Sequence, residues 1–303
     1  MLNDYINMEK IVFIPQSSRY HPHFAHYLQY LYWCIDIVLN NQEFEYLVIE
    51  PRNKSKGRFI ISFKKYILEK VKNIRFLSRP EFNTIESSLK IVKIYHFKAW
   101  PYRETNFNLN NKIIKNNICD WFPNNNSNLM RDLFFTPKNN GIKIGLVNRQ
   151  HNRILLNSKE LCDKIKEKFG IPVDITLFED KTFEYQTEFF NDHKIIISPH
   201  GAQLCSIPFT QDDSLIIECA HEEWHPYDYF PGLSVTSNKY HYMICDDHTV
   251  FPTWWSDKYI NPARGRSNNS RLNITVNIEK VINIIDNYLK NNNKLPNYNC
   301  NLV

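Results

Sequence analysis

The segment Ile195 to Phe209, IIISPHGAQLCSIPF, sets a histidine and a glycine at the end of an apolar run. The isoleucines predict a buried strand, Ser198-Pro199-His200-Gly201-Ala202 a tight turn, and the apolar residues beyond it the start of a helix. Gly201 gives the turn its backbone freedom. The first N–H groups of a helix have no partner within it, so Gly201, Ala202 and the residues after them offer backbone to a phosphate. His200 falls at the carboxyl end of its strand, the edge where open α/β sheets bind ligands. It could donate to a phosphate or sugar oxygen, or simply order the turn. Arg149 and Arg153 stand four apart after another apolar run, Ile142 to Val147. Guanidinium groups suit bidentate phosphate contact. As two loop arginines alone they read equally as solvated surface charge.

Further residues have polar chemistry and a structural alternative. Asn157 fits a helix cap as well as a ligand role, and Glu160 suits the first turn of the same helix. Phe183 and Gln186, three apart, share one helix face. The glutamine could bond the loop carrying His200, reach a nucleotide, or stand exposed. Glu218 ends a strand at the same sheet edge, as a double acceptor or as a partner for a lysine. His221 to Tyr227 is a loop of aromatic rings and carboxylates suited to sugars, and Trp254-Trp255 suits a sugar face or the core. Arg264, Arg266 and Arg271 lie in a Gly/Ser/Asn loop. His21, His23 and His26 match no strong zinc spacing and have no carboxylate among them, so no metal site is expected.

These residues need elements to carry them. Before residue 138, the pattern predicts strands at Ile11–Ile14, Tyr46–Ile49 and Ile91–Tyr95, and helices at His26–Leu39 and Arg58–Lys72. A further helix is expected from about Asn111. Pro137 to Gly141 is the best linker. Beyond it, strands at Ile142–Val147, Asp174–Phe178, Lys194–Ile197 and Ser214–Glu218 alternate with helices at Ser158–Phe169 and Thr182–Asn191, and a last helix spans Ile278–Leu289. Such alternation predicts parallel sheets wrapped by helices. The expected division is 1–138 and 139–303.

Composition narrows the function classes. The 303 residues are 43% hydrophobic and 14% aromatic, which describes a folded chain with room for two cores. Net charge is a modest +5. A nucleic-acid-binding reading rests only on that charge and scattered aromatics, and no recognised motif supports it. The seven cysteines form no C-x-x-C pair, and several in apolar strand contexts read as buried thiols. No run is long enough to span a membrane, and the N-terminus lacks signal-peptide character, so a reducing, cytoplasmic setting is expected.

The order Arg-x-x-x-Arg, Asn, Glu, aromatic-x-x-Gln, His-Gly-Ala and strand-end Glu resembles glycosyltransferase family 61. That family includes plant xylan xylosyl- and arabinosyltransferases and animal O-linked N-acetylglucosaminyltransferases. The resemblance spans Gly141 to about Tyr242, and the block Gln186 to Ala202 is its most specific part. It implies an α/β, GT-B type fold of two Rossmann-like domains with parallel sheets facing across a cleft. Residues 1–138 would serve the acceptor and 139–303 the nucleotide-sugar. It implies an inverting transfer from a nucleotide-sugar, UDP-linked by family habit, to a glycan or protein hydroxyl. Arg149, Arg153, Gln186, His200, Gly201 and Ala202 would bind the donor, whose departing diphosphate needs its charge neutralised. Glu218 would hold a ribose hydroxyl. No Asp-x-Asp motif is present, so neither an obligatory metal nor another cofactor is expected. Phe24-Ala25-His26 is similar to a family segment followed four residues later by an acid; here that residue is Tyr30. His26 would then replace the acid as base. The alternative is a non-catalytic protein of the same fold that binds a nucleotide or glycan.

Overall fold

The structure, a computed structural model, describes residues 8–15, 24–50, 58–97, 127–135, 141–221, 239–245, 250–252 and 271–291, with 230, 233, 234 and 237 between them. Two parallel sheets carry the chain. The first has the order β3-β2-β1-β4, from β1 (Lys10–Pro15), β2 (Glu45–Glu50), β3 (Ile74–Ser78) and β4 (Ile91–Phe97). Helices α1 (Phe24–Asn40), α2 (Arg58–Lys70) and α3 (Arg79–Ile85) connect its strands. After α4 (Ser127–Phe134), the second sheet runs β10-β9-β8-β7-β5-β6. Its strands are β5 (Ile144–Asn148), β6 (Val173–Leu177), β7 (Ile195–Pro199), β8 (Leu215–Ala220), β9 (Tyr240–Cys245) and β10 (Val250–Pro252), of which only β10 is antiparallel. Helix α5 (Ser158–Phe169) joins β5 to β6, α6 (Phe183–Asp192) joins β6 to β7, and α7 (Ile278–Lys290) comes last.

The isoleucine runs explain the central strands. Ile195, Ile196 and Ile197 of β7, and Leu215, Ile216 and Ile217 of β8, are fully buried, as strands covered by helices on both faces must be. The second sheet reverses its winding between β5 and β7, the sort of switch point at which such sheets open a crevice at their strand carboxyl ends. The segment after Gly201 departs from the expected helix by winding as a 3-10 helix, Ala202–Phe209, with Pro208 inside it. Strands β3, β9 and β10 and helix α3 were not anticipated by the periodicity. All of the expected linker Pro137 to Gly141 except Gly141, and the helix expected from Asn111, lie outside the described residues.

One apolar cluster crosses between the two parts. Phe183, at the start of α6, packs its ring against Phe59, Phe63 and Tyr66 of α2, Phe134 of α4 and Phe209 of the 3-10 helix, with centroids 4.9 to 5.6 Å apart. Polar contacts follow the same seam. The Phe183 N–H donates to Ser62 Oγ at 2.8 Å, and the Tyr32 hydroxyl to the Cys205 carbonyl at 2.9 Å. The first turns of helices α2 and α6 thus meet along this seam. At the opposite end of the second sheet, Asp212 accepts from Arg131 of α4 at 2.8 Å and from buried Lys239 at 3.1 Å. Cys34, Cys162, Cys205 and Cys219 are free and buried. Among the described residues, no helix is long and apolar enough to cross a membrane.

Candidate active site

Strand β5 ends in Asn148, and this side chain builds the loop that follows. Its Oδ1 accepts from the N–H groups of Arg149 and Leu155, both at 2.9 Å. Its Nδ2 donates to the Leu155 carbonyl and to Ser158 Oγ, both at 3.1 Å. The loop is thereby closed on itself, and both arginines project from it. Arg153 sits in the left-handed region at φ 55°, a conformation that costs a non-glycine residue about 1 kcal/mol or more.

Arg149 reaches across to the turn after β7. Its Nε donates to the Asn152 carbonyl at 2.9 Å, its Nη2 to Asn152 Oδ1 at 3.2 Å, and its Nη1 to Gln203 Oε1 at 2.9 Å. Gln203 in turn donates to the Pro199 carbonyl at 2.7 Å and to Ser198 Oγ at 3.1 Å. Gln203 thus ties the arginine loop to the His-Gly turn, a role the sequence pattern suggested for Gln186. Gln186 is buried and donates instead to the carbonyls of Lys181 (3.1 Å) and Phe178 (3.4 Å), shaping the β6–α6 loop. Gly201 is extended, at φ 166°, so conformational freedom is not what requires glycine here. Space requires it: a Cβ would lie 2.0 Å from Arg149 Nη1 and 2.4 Å from Gln203 Oε1.

His200 is 7% exposed and Glu218 fully buried. A close hydrogen bond joins His200 Nδ1 to Glu218 Oε1. Glu218 Oε2 takes His241 Nε2 at 2.8 Å, and His241 Nδ1 meets Ser234 Oγ at 2.7 Å. Glu218 was expected to offer its oxygens to a ribose; it lies behind the surface with both oxygens given to imidazoles. Burial would raise its pKa, but the two histidines outweigh that and bring it down to about 2. Burial lowers the His200 pKa, Glu218 opposes, and the charges of Arg153 and Arg149 lower it further. Arg153 is brought down to about 10, first by burial, then by Arg149, with Glu218 opposing. The two arginines, His200 and Glu218 therefore share one field, and its positive side is under-compensated.

Other expected residues fall elsewhere. Asn157 occupies the cap position of α5 without capping it. Its amide pairs with the backbone of Val276, donating to the carbonyl at 2.8 Å and accepting from the N–H at 3.1 Å. With the parallel bridge between Leu155 and Ile274, this seats the arginine loop on residues 271–277. Glu160 is exposed on α5. Ala202 opens the 3-10 helix beside the turn. Tyr30 is fully buried and its hydroxyl lies 2.9 Å from the Phe13 carbonyl and 3.0 Å from that of Ile49, at the ends of β1 and β2. Close by, buried Glu50 accepts from Tyr27 at 3.0 Å and pairs with Lys64, a carboxylate cluster the sequence pattern did not suggest. His26 lies in the first turn of α1, and its side chain is outside the described residues, as are His21, His23, Glu222 to Tyr227, Trp254, Trp255, Arg264 and Arg266. Among the described residues, no three His, Cys, Asp or Glu side chains are grouped to hold a metal ion.

No curated protein matches the chain. A family model described as Glycosyltransferase 61 matches residues 1–217. The match extends the likeness into the first sheet and ends one residue before Glu218. It takes in well over half of the 303 residues, including both arginines, Gln186 and the His-Gly-Ala turn at the β5/β7 switch. The chain belongs to glycosyltransferase family 61 and is a glycosyltransferase.

Proposed function

We propose that this glycosyltransferase takes a sugar from a nucleotide-sugar donor, UDP-linked, and transfers it with inversion to a hydroxyl of a glycan or protein. The arrangement is GT-B-like, with the acceptor served by residues 1–138 and the donor by 139–303. The observation that carries this reading is the convergence of Arg149, Arg153 and His200 at the β5/β7 switch, over a glycine that leaves room for a guanidinium. Two arginines whose charged state burial disfavours, one of them further depressed by the other, gain most when an anion is set beside them. The diphosphate of the donor is such an anion, and it gains further negative charge as the sugar–oxygen bond breaks. The acceptor oxygen forms its bond to the anomeric carbon, the bonding pair of the old linkage leaves on the β-phosphate oxygen, and a base takes the hydroxyl proton.

Arg153 and Arg149 are assigned to the diphosphate, with the backbone of Gly201 and Ala202 beside it. Gln186 and Glu218 act through the loops and rings they hold. His26 is assigned as base, because Tyr30 is committed to backbone carbonyls and offers no carboxylate. No divalent ion is required in this scheme, since guanidinium groups carry the countercharge. The test is a donor-hydrolysis screen across UDP-, GDP- and CMP-sugars with Arg153→Ala and His200→Ala as controls. Slow release of UDP, lost in both variants, is expected. No release from any donor, together with no thermal shift by any nucleotide, would overturn the donor site.

A further inference from the structure

Four buried side chains form one line through the second sheet: Ser234, His241, Glu218 and His200. Three of them lie on β8, β9 and the segment between, beyond the family match. Their bonding capacities fix the direction of the two bonds to Glu218. An ionised carboxylate only accepts, so both histidines donate to Glu218, His200 from Nδ1 and His241 from Nε2. On its other side His241 Nδ1 meets the Ser234 hydroxyl, which holds the ring in place. The line sets two imidazoles on one carboxylate, each giving one N–H to it.

The described charged groups around His200 are Arg149 and Arg153 from the β5 loop, Glu218 from β8 and, behind it, His241 from β9. Burial and the two arginines oppose a proton on His200, while Glu218 favours one. A diphosphate seated on the arginines cancels their repulsion and adds attraction of its own, while Glu218 stays in place. The balance at His200 then tips toward the cation.

Resting on the donor-site reading above, we infer that diphosphate binding loads a solvent proton onto His200, with Glu218 as its buried counter-ion and His241 and Ser234 as the residues that position Glu218. His200 enters neutral and becomes a cationic donor only with phosphate present. The bound-state pKa is the higher one, so affinity rises as pH falls through it and levels off below the free-state value.

The experiment is calorimetric titration of the full chain with UDP at pH 6.5, in two non-phosphate buffers of different ionisation enthalpy. Wild type, His200→Gln and Glu218→Gln are compared. The β-phosphate of UDP ionises in every case, so the difference between proteins reports His200. Wild type is expected to take up roughly half a proton more per UDP than His200→Gln, and Glu218→Gln to lose that surplus while still binding UDP. His241→Gln, which keeps a donor for Glu218, should retain more of the surplus than His241→Phe; a role in folding alone would lower the bound fraction without changing protons per UDP. Equal uptake by wild type and His200→Gln overturns the inference, and that pair decides even where Glu218→Gln fails to fold. Absence of UDP binding by folded wild type sinks the donor-site reading and the inference with it.

Discussion

Gly201 shows how one missing methyl group sets the site. A Cβ there would meet the Arg149 guanidinium and Gln203 together, so Gly201→Ala should swing Arg149 off the turn. About tenfold weaker UDP binding or worse is expected, with the circular dichroism spectrum retained; unchanged affinity by calorimetry would sink this account. Glu218 gives a second prediction, on acid stability. Its folded pKa of about 2 lies below the ordinary 4.5, so its stabilisation is present above about pH 4.5 and disappears as pH falls toward 2. The full contribution is about 3 kcal/mol. His200 acts in the same direction from pH 6.5 downward, because its folded form resists protonation. Urea midpoints measured from pH 7 to pH 3 should fall more steeply for wild type than for Glu218→Gln, and parallel curves would refute the assignment. Arg149 and His200 were noticed in the sequence because each closely follows an apolar run, and Arg153 because it leads into Ile154-Leu155-Leu156. Gln203 and His241 were not, since their meaning lies in partners 54 and 23 residues away.

At the scale of elements, the arginine loop depends on a strand-like segment far along the chain. Asn157→Ser separates two roles, because serine caps helices as well as asparagine does but cannot make the paired amide bonds to Val276. A loss of about 1 to 3 kcal/mol in chemical unfolding is expected, together with weaker UDP binding; full retention of both would mean that only a cap was needed. Helix α5 and the strands around it could be read closely from periodicity. Helix α3 had a readable signal as well, since Ser78 and Glu81 form a capping box with both reciprocal bonds made. Strand β3 was obscured by its short length and half-exposed side chains, and β4 alternates weakly because most of it is exposed. The 3-10 winding after Gly201 had no local signature, and its apolar residues suit an α-helix equally well.

For the whole molecule, the deciding residue is Phe183. It belongs to the second sheet's helices but is surrounded by rings of α2 and α4, so the two sheets are joined through a shared interior. Phe183→Ala should cost about 3 to 5 kcal/mol and lower the stability of both parts together. Fluorescence and far-ultraviolet circular dichroism should record one coincident urea transition for wild type and variant; two separated transitions would show that the parts hold themselves up independently. The parallel α/β character of both sheets was readable from alternation, whereas this joint was not, because a phenylalanine on a helix face looks the same whichever core it enters. The bond between Asn157 and Val276 has a consequence for synthesis. The ribosome makes both arginines midway through its task, and the segment that seats their loop emerges only after residue 271. A nascent or prematurely terminated chain therefore has Arg149 and Arg153 without the frame that seats their loop, and the proposed donor site would be completed late in translation.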